Sequence, residues 1–365
     1  MRVAHWAQAS KQASKQASKQ ASKQFLKNKS SDNRLEIFDI LRGIAILLVI
    51  LGHSLPSSEI RTYLRGFIYS FHMPLFFIIS GYFYKHRPAA MQMKKDVRTL
   101  ILPYVFTSFM LMVYGLFIDL YGNITFPEET IKWFRISFYG SRNPDNPLGG
   151  WIGPIWFLLA LFWCKSIFSL LYSKDEKKNV IYFIIIPIIT SYLFEHTYIP
   201  LFVLQGITAL IFYYIGYLLK EYDMLNKKFP ISLIIGMLVI WIYCILFSHI
   251  NMVTGSYDNF IVNVMGALSG FCFLYAIVCK VQKKWYFPSD LLARIGVLSI
   301  VALCFHSLDY TIDPFRTLLT MFPPVYRLTQ EHFYLYYIGI RYLYIFMVLL
   351  IVPKIKIFRR IFSLS

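Results

Sequence analysis

Apolar runs of roughly twenty residues recur along this chain, and no other feature constrains its fold as tightly. They fall at roughly 37–55, 65–84, 99–121, 151–172, 180–194, 199–219, 231–249, 260–281, 292–310 and 333–352, each bounded by charged or turn residues. A bilayer core about 30 Å thick takes about 20 apolar helical residues to cross. Only helices and closed barrels satisfy their backbone groups inside lipid, and runs without strict alternation select helices. Composition agrees, with 57% of the 365 residues hydrophobic and a mean hydropathy of +0.52. The expected fold is an all-α polytopic membrane protein with about ten transmembrane helices. The fifth run is short and "EHTYIP" after it reads as a tight turn, so nine spans are also compatible.

The net charge of +18 raises nucleic acid as a partner, but its distribution argues otherwise. With ten spans, the connections on one side plus the C-terminal segment hold 19 Lys and Arg. The opposite side holds 7, among them Arg61, Arg65 and Lys132. Cationic loops stay in the cytoplasm, so both termini are expected there and the excess charge is topological. No nucleic-acid partner is expected. Three segments follow: a disordered, repeat-containing cytoplasmic tail over 1–34, a transmembrane domain over 35–353 and a basic cytoplasmic tail over 354–365. The longest outer loop, about 122–150, contains "GSRNPDNPLGG", whose Pro, Gly and Asn predict irregular backbone able to cap a cavity. All five cysteines lie in apolar stretches without CxxC or metal spacing, so neither a disulfide framework nor a metal site is expected.

Residues 9–24 read "ASKQASKQASKQASKQ", four copies of one tetrapeptide. Without an apolar core it is no signal peptide, and its polarity predicts disorder. Ala-Ser-Lys-Gln is also what a repeated GCAA tetranucleotide encodes. We read it as a slippage-prone tract that switches expression by frameshift (phase variation), a device suited to enzymes that alter surface molecules. Mixed synonymous codons in the gene would exclude it.

Charges inside apolar runs cost at least about 2.5–3.5 kcal/mol each on insertion scales, so each asks for a reason. In "FDILRGIAILLVILGH", Asp39 and Arg42 are three apart and can pair on one helix face. His53 follows Arg42 by eleven residues, which returns it to nearly the same face about 16 Å along. The two cannot touch, yet they line one groove. His72, His306 with Asp309 one turn on, and Glu195 with His196 all fall toward the outer end of their spans, at the level of His53. Three histidines at one depth on different spans point to a shared polar pocket. Arg42, Lys95 and Arg98 at the inner end suit an anion. Lys165 reads as a snorkelling side chain. Arg341, near the centre of the last span, either pairs internally or lines the cavity. Trp156 offers an indole N–H to a substrate, or belongs to an interfacial aromatic belt.

These stretches resemble the membrane-bound acyltransferase 3 family, in its sugar O-acetylase-like branch. "FDILRGIAILLVILGH" is similar to its signature of Arg, ten residues and His on the first span, and "FHMPLFFIISGYF" resembles its second span. "KKDVRTLILPY", "GPIWFLLAL" and "IGVLSIVALCFH" resemble later, looser motifs, the last departing from the pattern around Cys304, where a Tyr is expected. The resemblance runs from about residue 35 to 350. It implies transfer of an acetyl group from acetyl-CoA to a hydroxyl of a cell-surface glycan, lipopolysaccharide or another surface polysaccharide, at the bacterial cytoplasmic (inner) membrane. Acetyl-CoA is then a donor substrate, and no permanently bound cofactor is expected. On that reading Arg42, with Asp39, Lys95 and Arg98, holds the donor's phosphates. His53 is general base or transient acyl acceptor, and Asp309 or Glu195 orients it. His72, His306, Trp156 and Arg341 line the pocket for a glycan or lipid-linked glycan acceptor. The rival is a proton-coupled transporter or a flippase of lipid-linked sugars, which ionisable intramembrane residues also suit. Against it stand the lack of a repeat between the halves and the gathering of charges toward the two faces.

Overall fold

The computed structural model describes residues 35–364 except 56–58, 123–124, 141–151, 195–196, 283 and 316–332. The repeat tail, Glu195, His196 and most of "GSRNPDNPLGG" lie outside the described residues. Helix α1 covers residues 35–54. Then come α2 (Glu59–Tyr69), α3 (His72–Tyr82), α4 (Ala89–Asp96), α5 (Leu102–Tyr121), α6 (Glu128–Tyr139), α7 (Trp156–Leu171) and α8 (Glu176–Val180). They are followed by α9 (Ile186–Leu193), α10 (Val203–Thr208), α11 (Leu210–Glu221), α12 (Ile231–Phe247) and α13 (Phe260–Val281). The last are α14 (Tyr286–Val297), α15 (Ser299–Ile312), α16 (Phe333–Ile351) and α17 (Lys356–Ile361). Among the described residues, five helical stretches are long and apolar enough to cross a bilayer: Ala89–Tyr121, Gly153–Leu171, Val203–Glu221, Phe260–Val281 and Leu335–Lys354. The pair α14 and α15 makes a sixth if counted as one span.

Several apolar runs are not the straight rods their length predicts. The run at 292–310 bends by 71° between α14 and α15. The bend lies just past the point where α14 crosses α1. There a Cβ on Gly296 would sit 1.8 Å from the Asp39 carbonyl oxygen, and one on Gly43 2.0 Å from that of Leu292. Helices α3 and α11 approach as closely, with a Cβ on Gly81 falling 1.9 Å from Tyr213 O and one on Gly216 1.9 Å from Ile78 O. Small residues at membrane helix crossings let backbones come together where no hydrophobic drive exists between helices.

The loop expected over 122–150 contains α6, a helix that folds back along α5. Asp119 builds that reversal: its carboxylate accepts from Glu129 N (2.8 Å), Thr130 N (2.9 Å) and Thr130 Oγ1 (2.6 Å), filling donors that a helix start leaves open. Between α12 and α13, where no strand was expected, Ile250–Asn251 and Ser256–Tyr257 form a short antiparallel hairpin. The last basic segment packs on the helices. Phe358 of α17 and Phe362 just past its end pack on Phe106 of α5 (5.7 and 5.8 Å between ring centroids) and on Phe305 of α15. All five cysteines are free.

Candidate functional site

One face of α1 organises the interior. Arg42, Ile46, Val49 and His53 follow one another at helical spacing and line two cavities in turn. The cavity at the Arg42 end has a volume of about 280 Å³ and is also lined by Lys95, Thr99, Lys165 and Ser80. The cavity at the His53 end, of about 510 Å³, is lined by His72, Trp156, Arg65, Tyr69, Tyr310 and the hairpin region from His249 to Asp258. The single groove expected between Arg42 and His53 is therefore divided. The two cavities abut where they share Val49, Met73 and Leu303, since three large apolar side chains converge at mid-face.

At the basic end, Arg42 Nη1 donates to Asp39 Oδ1 at 2.7 Å, as the spacing predicts. Lys165 is no snorkelling residue: it lines the cavity and is ion-paired with Asp96, a fully buried carboxylate that also accepts from Gln92 Nε2 at 2.8 Å. Lys95 joins Arg42 as expected, but Arg98 does not. It faces a neighbouring cavity of about 760 Å³ together with Lys94, Lys356, Arg359 and Arg360, and that cavity meets the Arg42 cavity through Lys95 and Thr99.

At the histidine end, the rings of His53 and His306 lie 5.7 Å apart, and Tyr310 stands 4.9 Å from His53. His72 is within reach through Tyr69, whose ring is 4.9 Å from that of His72 and 6.3 Å from that of His53. His72 Nδ1 is bonded to the Ile68 carbonyl at 2.8 Å, which leaves Nε2 as its second polar atom. Trp156 is buried and lines the cavity. Asp309 does not orient His53. Its Oδ2 lies 3.5 Å from His306 Nδ1 and 3.0 Å from Arg341 Nε. Arg341 pairs internally, with Asp313 at 3.7 Å, the Tyr337 ring 4.2 Å beneath it and Ser54 Oγ accepting from Nη1 at 3.2 Å. His306, Asp309 and Arg341 are all at most 2% exposed, and neither His306 nitrogen makes a hydrogen bond.

Sequence reasoning missed Tyr310, Ser54, Arg65, Asp96 and the hairpin region. Tyr310 and Ser54 each adjoin a residue already singled out, so their signal was available. Asp258 and His249 meet only because the chain turns back, with His249 N donating to Asp258 Oδ2 at 2.7 Å.

The chain is thus a helical membrane domain with two adjoining internal cavities, one cationic and one imidazole-rich. The chain matches the family described as "Acyltransferase domain" over residues 35–355, most of its length, and it belongs to that family. It is similar over 60 residues, at 45% identity, to Nodulation protein NolL of Sinorhizobium fredii (strain NBRC 101917 / NGR234). That similarity covers 14% of this chain and 16% of NolL. No solved structure matches the chain.

Proposed function

We propose that this protein transfers an acetyl group from acetyl-CoA to a hydroxyl of a cell-surface glycan, with ten spans in the bacterial inner membrane and both termini in the cytoplasm. The observation that carries the reading is the α1 face that presents Arg42 to one cavity and His53 to the next. A CoA thioester is a long, thin molecule with its anionic groups at one end and its acyl group at the other. Arg42 and Lys95 then face the donor's anionic side, and the thioester reaches the neck at Val49, Met73 and Leu303. Met73 is unbranched and adaptable, so it can yield to a narrow pantetheine arm. The acceptor hydroxyl occupies the His53 cavity, among Tyr69, Trp156 and Tyr310.

In this mechanism the acceptor hydroxyl oxygen attacks the thioester carbonyl carbon while His53 takes the hydroxyl proton. The carbon–sulfur bond then breaks, the CoA sulfur leaves, and the proton passes from His53 to that sulfur. His306, backed by Asp309 and Arg341, stands behind His53 and fixes where its ring can lie. The wider setting of the proposal is phase-variable modification of lipopolysaccharide or another surface polysaccharide.

The test uses membrane vesicles, acetyl-labelled acetyl-CoA and a glycan acceptor, comparing wild type with His53→Ala and Arg42→Ala. Base-labile label should enter glycan only with wild type. Donor should still bind the His53 variant and bind the Arg42 variant weakly. Absence of label with correctly folded wild type and a verified acceptor would turn the reading toward transport.

A further inference from the structure

The cavity of about 760 Å³ beside the Arg42 cavity is lined by ten residues, of which six are cationic and none acidic: Lys94, Lys95, Arg98, Lys356, Arg359 and Arg360. Half of these cations come from α17, in the segment that the sequence reads as a basic tail. On α17 the cations fall at positions 356, 359 and 360, which is helical spacing. Phe358 and Phe362 hold the other face against Phe106 and Phe305, and Ser363 Oγ reaches the Arg98 carbonyl at 3.5 Å. The charges are thus held in place by apolar packing, and not by partners of opposite sign. Among the described residues, none of the six has a carboxylate within ion-pair distance.

Six cations gathered around one concavity repel one another, and the ligand chemistry that relieves this is a cluster of phosphates. Arginine forks match phosphate oxygens two at a time. The position of the cavity narrows the choice. It shares Lys95 and Thr99 with the Arg42 cavity, which shares Val49, Met73 and Leu303 with the histidine cavity. The three cavities therefore adjoin in order: a wide cationic one, the narrower Arg42 cavity, and the one with the paired imidazoles.

We propose that α17, through Lys356, Arg359 and Arg360, closes a phosphate-binding site with Lys94, Lys95 and Arg98 that receives the nucleotide end of the acyl donor. This rests on the acyl-CoA reading above and extends it to a segment outside the matched family region. The Arg42 chamber then takes the inner end of the donor's anionic part and the pantetheine arm beyond it, so donor length is measured between α17 and His53. An anionic lipid headgroup presents the same phosphate chemistry and is the competing source.

The test uses the full-length protein in phosphatidylcholine nanodiscs, with two donors: acetyl-CoA, and S-acetylpantetheine, which has the same thioester but no phosphate. Arg359→Ala/Arg360→Ala should raise the ratio of KM for acetyl-CoA to KM for S-acetylpantetheine at least about tenfold, corresponding to roughly 1.4 kcal/mol. Arg359→Lys/Arg360→Lys should recover some of that loss. An unchanged ratio, or an equal rise for both donors, would overturn the proposal. A further arm adds phosphatidylglycerol. A variant that loses only its response to this lipid, with the donor ratio intact, would assign the cavity to a headgroup and overturn it too. Should wild type transfer from neither donor, the acyl-transfer reading fails by itself. The cavity is then judged by binding of labelled adenosine 3′,5′-bisphosphate: wild type should bind and the double alanine variant should not, and equal binding or none would overturn the site.

Discussion

His306 lies between two partners of different kinds: its ring is 5.7 Å from that of His53, and its Nδ1 is 3.5 Å from Asp309 Oδ2. The carboxylate therefore reaches His53 only through a second imidazole. On the proposed mechanism the two histidines have separate tasks, since His53 lines the cavity and His306 is fully buried.

Substitution of the two histidines should separate those tasks. His53→Ala is expected to lower transfer by about a hundredfold or more, the usual range for loss of a general base, with donor affinity retained. His306→Ala is expected to lower it less, because His53 keeps its access to the cavity. Steady-state transfer and equilibrium donor binding on both variants measure this; equal losses would make the pair one functional unit.

Arg341 holds the buried carboxylate in place. Arg341→Met leaves Asp309 without its cation in a site at most 2% exposed, which should cost about 3–5 kcal/mol. The double variant Arg341→Met/Asp309→Leu removes both charges and should recover much of that. Thermal unfolding in detergent reads both. A double variant no more stable than the single would show that the pair does more than neutralise itself.

The neck offers a steric test. Val49→Trp fills the junction that Val49, Met73 and Leu303 form between the two cavities. Transfer from acetyl-CoA should fall at least about tenfold, while binding of adenosine 3′,5′-bisphosphate, which has no arm, should not change. Retained transfer would mean that the donor does not pass this point.

The α3–α11 crossing should tolerate no side chain. A Cβ at Gly216 would lie 1.9 Å from Ile78 O, so Gly216→Ala must push the α3 and α11 backbones apart, at a cost of about 1–3 kcal/mol or more. The folded yield of Gly216→Ala after size-exclusion chromatography tests this, with Gly236→Ala as control, since a Cβ at Gly236 would meet no atom within 4 Å.

The sequence by itself determined the helical membrane class, the pairing of Asp39 with Arg42 and the common face of Arg42 and His53. Each is a local matter: hydrocarbon thickness fixes the length of an apolar run, and the helical repeat fixes which residues share a face. It also brought His53, His72 and His306 to one level, because equal distances from span ends become equal depths.

Tertiary structure decided the rest. Whether Asp309 meets His53 or His306, whether Lys165 snorkels or binds Asp96, and whether Arg98 joins Arg42 all depend on how helices rotate and cross. Those rotations are set by close approaches such as Gly43 to Leu292 and Gly216 to Ile78, between segments far apart in the chain. The same holds for α17, which the sequence reads only as part of a basic tail and which Phe358 and Phe362 seat on Phe106 and Phe305. Hydropathy records how much of a segment prefers lipid, but not which neighbour it meets, since in a bilayer that choice rests on packing and polar pairing between helices.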